Sequence, residues 1–95
     1  MPLSIIATIV AHPEHREAVG TALRDMLAPT RVEPGCQQYD LHVDQADPLC
    51  WVMIERWADA AELEAHLHSP HMARLQSAIA GKAAGIDIQR LDLIA

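Results

Sequence analysis

Residues 36–57 read CQQYDLHVDQADPLCWVMIERW, and this stretch is the most informative part of the chain about its fold. From Cys36 to Asp44, apolar and polar side chains alternate, which predicts a strand with one buried face. From Leu49 to Trp57 the pattern is apolar on both faces, which predicts a strand covered on both sides. Because Gln45–Pro48 separates the two by only a short turn, the strands are expected to form a hairpin.

Upstream of this hairpin, the sequence predicts a strand followed by a helix. Leu3–Ala11 is rich in β-branched residues and reads as a buried strand. Pro13 then stands at a favourable first helical position. Apolar residues recur with helical spacing after it, and Pro29 is expected to end or kink the helix. Glu33-Pro34-Gly35 is interpreted as the turn that leads into the hairpin.

Downstream of the hairpin, capping signals predict a helix in two pieces and a last strand. Asp59 begins a capping pattern for a short helix over Ala60–Leu67. Ser69-Pro70 is a second cap with proline at the first helical position, and Gly81 stops that helix. Gly85–Ile94 alternates again and reads as a strand.

The resulting order, β-α-β-β-α-β, predicts a single α+β domain over residues 1–95 of the ferredoxin-like kind, with an antiparallel sheet. Both helices of such a unit cover the same face of the sheet. The strands Leu3–Ala11 and Leu49–Trp57 are nevertheless apolar on both faces. We therefore expect a homodimer that packs sheet against sheet.

The composition excludes several classes of partner. The chain carries 7 basic and 13 acidic residues, a formal charge of −6, and no basic cluster, which argues against nucleic acid and anionic membranes. No targeting signal precedes the first strand, so a cytoplasmic location is expected. Cys36 and Cys50 are predicted to lie far apart on the hairpin as free thiols, which fits a reducing compartment.

Several motifs occur together in an order that resembles one known family. They are TRVEPGC at 30–36, YDLH at 39–42, DP at 47–48, ERW at 55–57, LEAH at 63–66 and SPH at 69–71. In this register the chain resembles the antibiotic biosynthesis monooxygenase domain family, and within it the small bacterial quinol monooxygenases. The resemblance covers nearly the whole chain, although no single motif is specific.

The resemblance implies a dimeric α+β barrel with an apolar cavity between helices and sheet. Members oxidise electron-rich phenols or hydroquinones with O₂ and without metal, flavin or heme, so no cofactor is expected. One branch of the family degrades heme, using an asparagine on the first strand and a histidine within the last helix. This chain contains no asparagine, and its last histidine, His71, only begins that helix. Another branch isomerises a phosphorylated sugar.

Three residues are the candidates for catalysis. His66 is the expected general base, since a histidine titrates near neutral pH and this one borders the inward face of its helix. The alternative is a surface histidine at a helix end, and the resemblance favours the catalytic role. Trp57 could stack on a flat substrate ring or simply pack in the core. Glu55 shares the Trp57 face, where a carboxylate requires a partner, and it could orient His66 or cap a backbone group.

Four further residues are candidates for substrate binding. Tyr39 and His42 lie on opposite faces of one strand, so only one can share the Trp57 face, and the residues alone do not decide which. The resemblance favours Tyr39. Arg74 could attract an oxyanion. His71 is the fourth candidate for substrate binding.

The histidines do not predict a metal site. His66, His68 and His71 are spaced so that they spread around a helix, and Ser69-Pro70 divides them between two helices. No established pattern of metal ligands is present. The sequence thus leaves three readings of function open: a cofactor-free oxygenase of hydroquinone-like aromatics, an isomerase of a small carbonyl compound, and a non-catalytic dimeric binding module.

Overall fold

The computed structural model describes residues 1–95. A four-stranded sheet forms the framework, and helices connect its strands. The elements in chain order are β1 (Leu3–Ala11), a 3-10 turn (Pro13–His15), α1 (Arg16–Arg24), α2 (Leu27–Arg31), β2 (Cys36–Val43), β3 (Cys50–Trp57), α3 (Ala60–Leu67), α4 (Pro70–Ile79) and β4 (Ala83–Asp92).

The strands are antiparallel in the order β2-β3-β1-β4, which is the ferredoxin-like arrangement, and the predicted fold class is confirmed. Alternate residues of β1 are buried, because one face of the sheet packs against the helices. That face carries Ile5, Ile9, Met53 and Trp57 into a core with Leu23.

The register of the hairpin settles which side of β2 meets the helices. Tyr39 pairs with Glu55 and is buried, so it lies on the same face as Trp57. His42 pairs with Val52 on the opposite face and is exposed. A register irregularity between Cys36 and Gln38 shifts the pairing at the start of β2. From Gln38 onward the pairing is regular, so Tyr39 stays on the face that meets the helices.

The two predicted caps form as hydrogen bonds. Asp59 Oδ1 accepts from the backbone N–H of Glu62 at 2.9 Å and begins α3. Ser69 Oγ accepts from the backbone N–H of Met72 at 3.2 Å and begins α4, with Pro70 at its first position. Each cap satisfies a helical N–H that has no partner within the helix.

The first helix is interrupted earlier than Pro29. α1 ends at Arg24, and a separate short helix, α2, contains Pro29 instead of ending there. Proline has no N–H to donate to the carbonyl four residues earlier, which belongs to Asp25, so the helix loses continuity one turn before the proline.

One face of the sheet has no layer of this chain over it. Ile6, Val10, Val52 and Ile54 point away from the helices and are only half-buried.

The last strand begins and ends two residues before the predicted Gly85–Ile94 and is exposed along nearly its whole length.

The described helices are short. None of them is both long and apolar enough to cross a membrane. Cys36 begins β2 and Cys50 begins β3, so the two lie at opposite ends of the hairpin, and both thiols are free.

Candidate active site

A cavity of about 290 Å³ lies between the helices and the sheet. Its walls are mainly aliphatic and methionine side chains from β1, β3, β4, α1, α3 and α4. The polar groups that reach it are few, namely Tyr39, Glu55, His66, Gln76 and Arg90. An apolar enclosure with a small number of polar groups is the usual form of a site for a small organic molecule.

His66 is the most deeply buried of these polar groups, with 1% of its surface exposed. It stands in the last turn of α3, three residues after the core residue Leu63, so the helix directs it inward. Its Nδ1 lies 2.6 Å from Oε2 of Glu33. Its Nε2 is buried and has no hydrogen-bond partner in the protein. The ring therefore has one nitrogen fixed and the other without a partner, in a residue that lines the cavity.

Glu33, the partner of His66, was not identified from the sequence as a site residue. It belongs to the turn between α2 and β2, which begins with a bond from Glu33 N to Thr30 O at 3.0 Å. Gly35 follows with φ of 80°, and a Cβ there would overlap the side chain of Glu62. Gly35 O accepts from Ala58 N at 2.8 Å, which ties the turn to the end of β3.

Two aromatic rings pack against His66. The Trp57 ring lies 4.7 Å from it, centroid to centroid, with the planes 35° apart. Tyr39 approaches nearly edge-on at 5.5 Å and 67°. Trp57 is fully buried and does not line the cavity, so the structure places it behind the histidine and not where a substrate ring would stack.

Glu55 bonds to Trp57 and not to His66. The indole Nε1 of Trp57 donates to Glu55 Oε1 at 2.9 Å. The suggestion that Glu55 orients His66 is therefore wrong in its geometry, because Glu33 occupies that position. Burial raises the pKa of Glu55 to about 7, the bond from Trp57 opposes this rise, and the charge of Glu33 adds to it.

Burial also changes the titration of the other groups. It lowers the pKa of His66 below its ordinary value, because the charged imidazolium loses water, while the hydrogen bond and charge of Glu33 act in the opposite direction. Burial, helped by the charge of Glu55, raises the pKa of Tyr39. At neutral pH this favours an uncharged His66 and a Tyr39 that keeps its proton.

The remaining candidates from the sequence lie outside the cavity. His42 is exposed on the opposite face of the sheet. Arg74 is exposed on α4 and lines a separate, smaller pocket between α1 and α4. His71 lines that smaller pocket too, and its Nε2 lies 3.1 Å from Glu33 Oε2.

The expectation that the helical histidines diverge is wrong for one pair. His66 and His71 have ring centroids 5.9 Å apart, although they belong to the separate helices α3 and α4. Their nitrogens and Glu33 form a group within 4.8 Å that could hold a metal ion. However, the 2.6 Å between His66 Nδ1 and Glu33 Oε2 is a hydrogen-bond distance. Two ligands of one tetrahedral zinc ion would stand about 3.3 Å apart.

Sequence reasoning also missed cavity residues on the last strand and the last helix. Arg90 lies on the cavity side of β4 with Ile86 and Ile88. The alternation of that strand could have identified it, since Arg90 shares their parity. Gln76 projects from α4, and no sequence signal distinguishes it from its exposed neighbours.

Comparisons with known proteins agree with this architecture. The family model for antibiotic biosynthesis monooxygenase matches residues 2–78. A protein of Escherichia coli K12 named "Probable quinol monooxygenase YgiN" is 34% identical over 99 residues, with 94% of this chain and 95% of that protein covered.

Solved structures are similar along nearly the whole chain. The crystal structure of PA3566 from Pseudomonas aeruginosa superimposes with a TM-score of 0.94 at 42% identity, covering 99% of this chain and 95% of that one. Rv0793 from Mycobacterium tuberculosis gives a TM-score of 0.95 at 27% identity, covering 100% and 97%. With the sequence match and the sheet topology in agreement, this chain belongs to the antibiotic biosynthesis monooxygenase family.

Proposed function

We propose that this chain is a monooxygenase that oxidises a hydroquinone-like aromatic substrate with O₂, with His66 as the general base. Family membership supports the monooxygenase class, and the relative named as a quinol monooxygenase supports the substrate class. The observation that carries the proposal is the state of His66. His66 lines an apolar cavity, its Nδ1 is fixed by a carboxylate, and its buried Nε2 has no hydrogen-bond partner in the protein.

The chemistry requires a base and a dry pocket. Ground-state O₂ is a triplet and accepts one electron readily only from an electron-rich donor, which a hydroquinone becomes when it loses a proton. In this proposal His66 Nε2 takes that proton, and the lowered pKa of the ring favours its uncharged form at neutral pH. The aliphatic walls exclude water from the anion that forms.

The reaction balances without a further reductant. A hydroquinone and O₂ give a hydroxyquinone and water: one oxygen atom forms a bond to the ring, and the other leaves as water with two hydrogens. The substrate supplies all of the electrons. We therefore propose that the protein needs no flavin, heme or metal for this step.

We also propose that the protein works as a homodimer through its sheet faces. The half-buried side chains of Ile6, Val52 and Ile54 have no cover from this chain, and a second copy would supply it.

The test is O₂ uptake with a panel of dihydroxynaphthalenes, corrected for autoxidation in buffer. With ¹⁸O₂, the expected product is a hydroxyquinone that carries one labelled atom. His66→Ala should reduce the enzymatic rate by about 10²- to 10⁴-fold. His68→Ala is the matched control, because His68 is an exposed histidine just after the same helix.

A wild type that consumes O₂ no faster than buffer across the panel would contradict the proposal. That result would favour the isomerase or the binding module instead. Unlabelled quinone with hydrogen peroxide as the other product would mean oxidation without oxygen insertion.

A further inference from the structure

One oxygen of Glu33 has two histidine partners. Oε2 lies 2.6 Å from His66 Nδ1 and 3.1 Å from His71 Nε2. The three side chains come from separate elements: the turn before β2, the last turn of α3 and the first turn of α4. Glu33 and His71 are only 14% and 12% exposed, so the group is largely shielded from water.

The chemistry of a carboxylate fixes where the protons are. An ionised carboxylate only accepts hydrogen bonds, so each ring nitrogen that faces Glu33 must carry a hydrogen. His66 is then protonated at Nδ1 and bare at Nε2. In its neutral form, His71 is the reverse, protonated at Nε2 and bare at Nδ1. One carboxylate therefore selects opposite tautomers for the neutral forms of two neighbouring histidines.

We propose that Glu33 and His71 are positioning residues for His66: Glu33 fixes the tautomer that leaves Nε2 free as a base, and His71 holds Glu33 in place. The effect of this arrangement on the rate rests on the proposed function, whereas the tautomers of the two histidines can be tested without it. Neither residue lines the cavity, so neither is expected to touch the substrate.

The reaction would use this arrangement as follows. The substrate hydroxyl breaks its O–H bond and the proton forms a bond to His66 Nε2, leaving a phenolate. The imidazolium that results keeps its Nδ1–H bond to Glu33 at a separation already short enough for a charge-assisted bond. Glu33 gains no proton, because its role is to stabilise the positive charge beside it.

His71 contributes by restraining the carboxylate. Glu33 comes from a turn and not from a helix or strand, so its side chain needs a second anchor to present one oxygen to His66. His71 lies at the start of α4 beside the smaller pocket of about 120 Å³, and its contact with Oε2 provides that anchor. A purely structural clasp would use the same hydrogen bonds, but its loss would lower stability and leave the rate of the folded protein unchanged.

The first test reads the tautomers directly, without any substrate. Long-range ¹H–¹⁵N spectra at pH 8 should show His66 protonated at Nδ1 and His71 at Nε2. In Glu33→Gln the amide can donate as well as accept, so His66 should lose its single tautomer. An Nε2-protonated His66 in the wild type, or an unchanged His66 in Glu33→Gln, would overturn the proposal even if the protein proved to be inactive.

The second test separates positioning from folding. Glu33→Gln should lower the enzymatic rate by about 10²- to 10⁴-fold, as loss of an orienting carboxylate does beside a catalytic histidine. His71→Leu removes the second donor and should cost about 10- to 100-fold. His71→Gln keeps an N–H near the position of Nε2 and should restore the rate to within about threefold of the wild type.

The matched control is His68→Leu, which changes an exposed histidine that bonds only to the backbone carbonyl and side chain of Glu64. It should leave both the spectrum and the rate unchanged. If His71→Gln were as slow as His71→Leu while both melt like the wild type, the donor would not matter and the positioning role would be wrong.

Discussion

The indole Nε1 of Trp57 donates a 2.9 Å hydrogen bond to Oε1 of Glu55, and both groups are buried on the face of the sheet that meets the helices. The bond satisfies a donor and an acceptor that are both removed from water. It does not remove the cost of burying a negative charge. Burial raises the pKa of Glu55 from 4.5 to about 7, so Glu55 titrates near neutral pH in the folded protein.

Glu55→Gln should make the protein more stable relative to the wild type as pH rises. The folded state binds the Glu55 proton more tightly than the unfolded state, so this group lowers the free energy of unfolding as pH increases from 4.5 to about 7. Glutamine has no such charge and can still accept from Trp57. Relative to the difference at pH 4, we expect the free energy of unfolding of Glu55→Gln to exceed that of the wild type by about 1 to 3 kcal/mol at pH 8. Urea denaturation at pH 4 and pH 8 measures this difference.

The comparison at pH 4 is the internal control for this prediction. Both side chains are then neutral, so any difference in packing between the carboxyl and the amide appears there and can be subtracted. Parallel stability curves for wild type and Glu55→Gln between pH 4 and pH 8 would show that Glu55 does not titrate in the folded protein as expected.

The enzymatic rate should reach its plateau below neutral pH. A base must be unprotonated, and burial lowers the pKa of His66 below 6.5, so kcat/KM should rise with pH through a value under 6.5 and then level off. Autoxidation of the substrate continues to rise with pH and must be subtracted. A rising limb centred well above pH 7 would assign the titration to another group.

Glu33 should affect the pH at which kcat/KM rises. Its hydrogen bond and its charge both raise the pKa of His66 against the effect of burial. Removing them in Glu33→Gln should therefore move the rising limb to lower pH, besides reducing the plateau. A limb displaced to higher pH would mean that Glu33 does not act on His66 as a negative charge.

Local signals explain why the fold could be predicted so closely. The caps at Asp59 and Ser69 and the alternation in β3 depend only on neighbouring residues, and the structure places these elements within a residue of the prediction. The predicted bounds of β4 lay two residues too late in the chain. The start of this strand depends on a bulge in its pairing with β1 beside Ala11, and no local signal indicates that bulge.

The site was harder to predict, because its main contact spans 33 positions along the chain, from Glu33 to His66. The motif EPGC contained Glu33, but proline and glycine beside it indicated only a turn. Glu55 was considered as the partner of His66 because strand parity put it on the correct face. Parity does not reveal which of two carboxylates a histidine reaches.

The sheet-face dimer predicts that one buried charge will produce monomers. Ile6 lies on β1 between Ile54 of β3 and Gln89 of β4, on the face without cover. Ile6→Lys should dissociate the homodimer, because an ammonium with no carboxylate directly opposite it would be buried at the interface. Light scattering at micromolar concentration measures the mass. Ser77→Lys on exposed α4 adds the same charge elsewhere and should leave the dimer intact. A monomeric wild type would contradict the proposal directly.

Two glycines with the same backbone conformation offer a test of how the turn at Glu33 supports the site. Gly35 and Gly81 have φ of 80° and 75°. A Cβ at Gly35 would overlap Glu62, whereas one at Gly81 has nothing within 4 Å. Gly81→Ala should therefore cost only the strain of a left-handed alanine, about 1 kcal/mol of stability.

Gly35→Ala should cost more, about 2 to 4 kcal/mol, because the same strain is joined by the clash with Glu62. The displaced turn should also move Glu33 away from His66, so the rate should fall in this variant and not in Gly81→Ala. Thermal denaturation gives the stabilities, and kcat/KM measured well below both melting temperatures gives the rates. Equal losses of stability in the two variants would show that the turn can move away from Glu62 without strain. An unchanged rate in Gly35→Ala would show that the position of Glu33 does not depend on this turn.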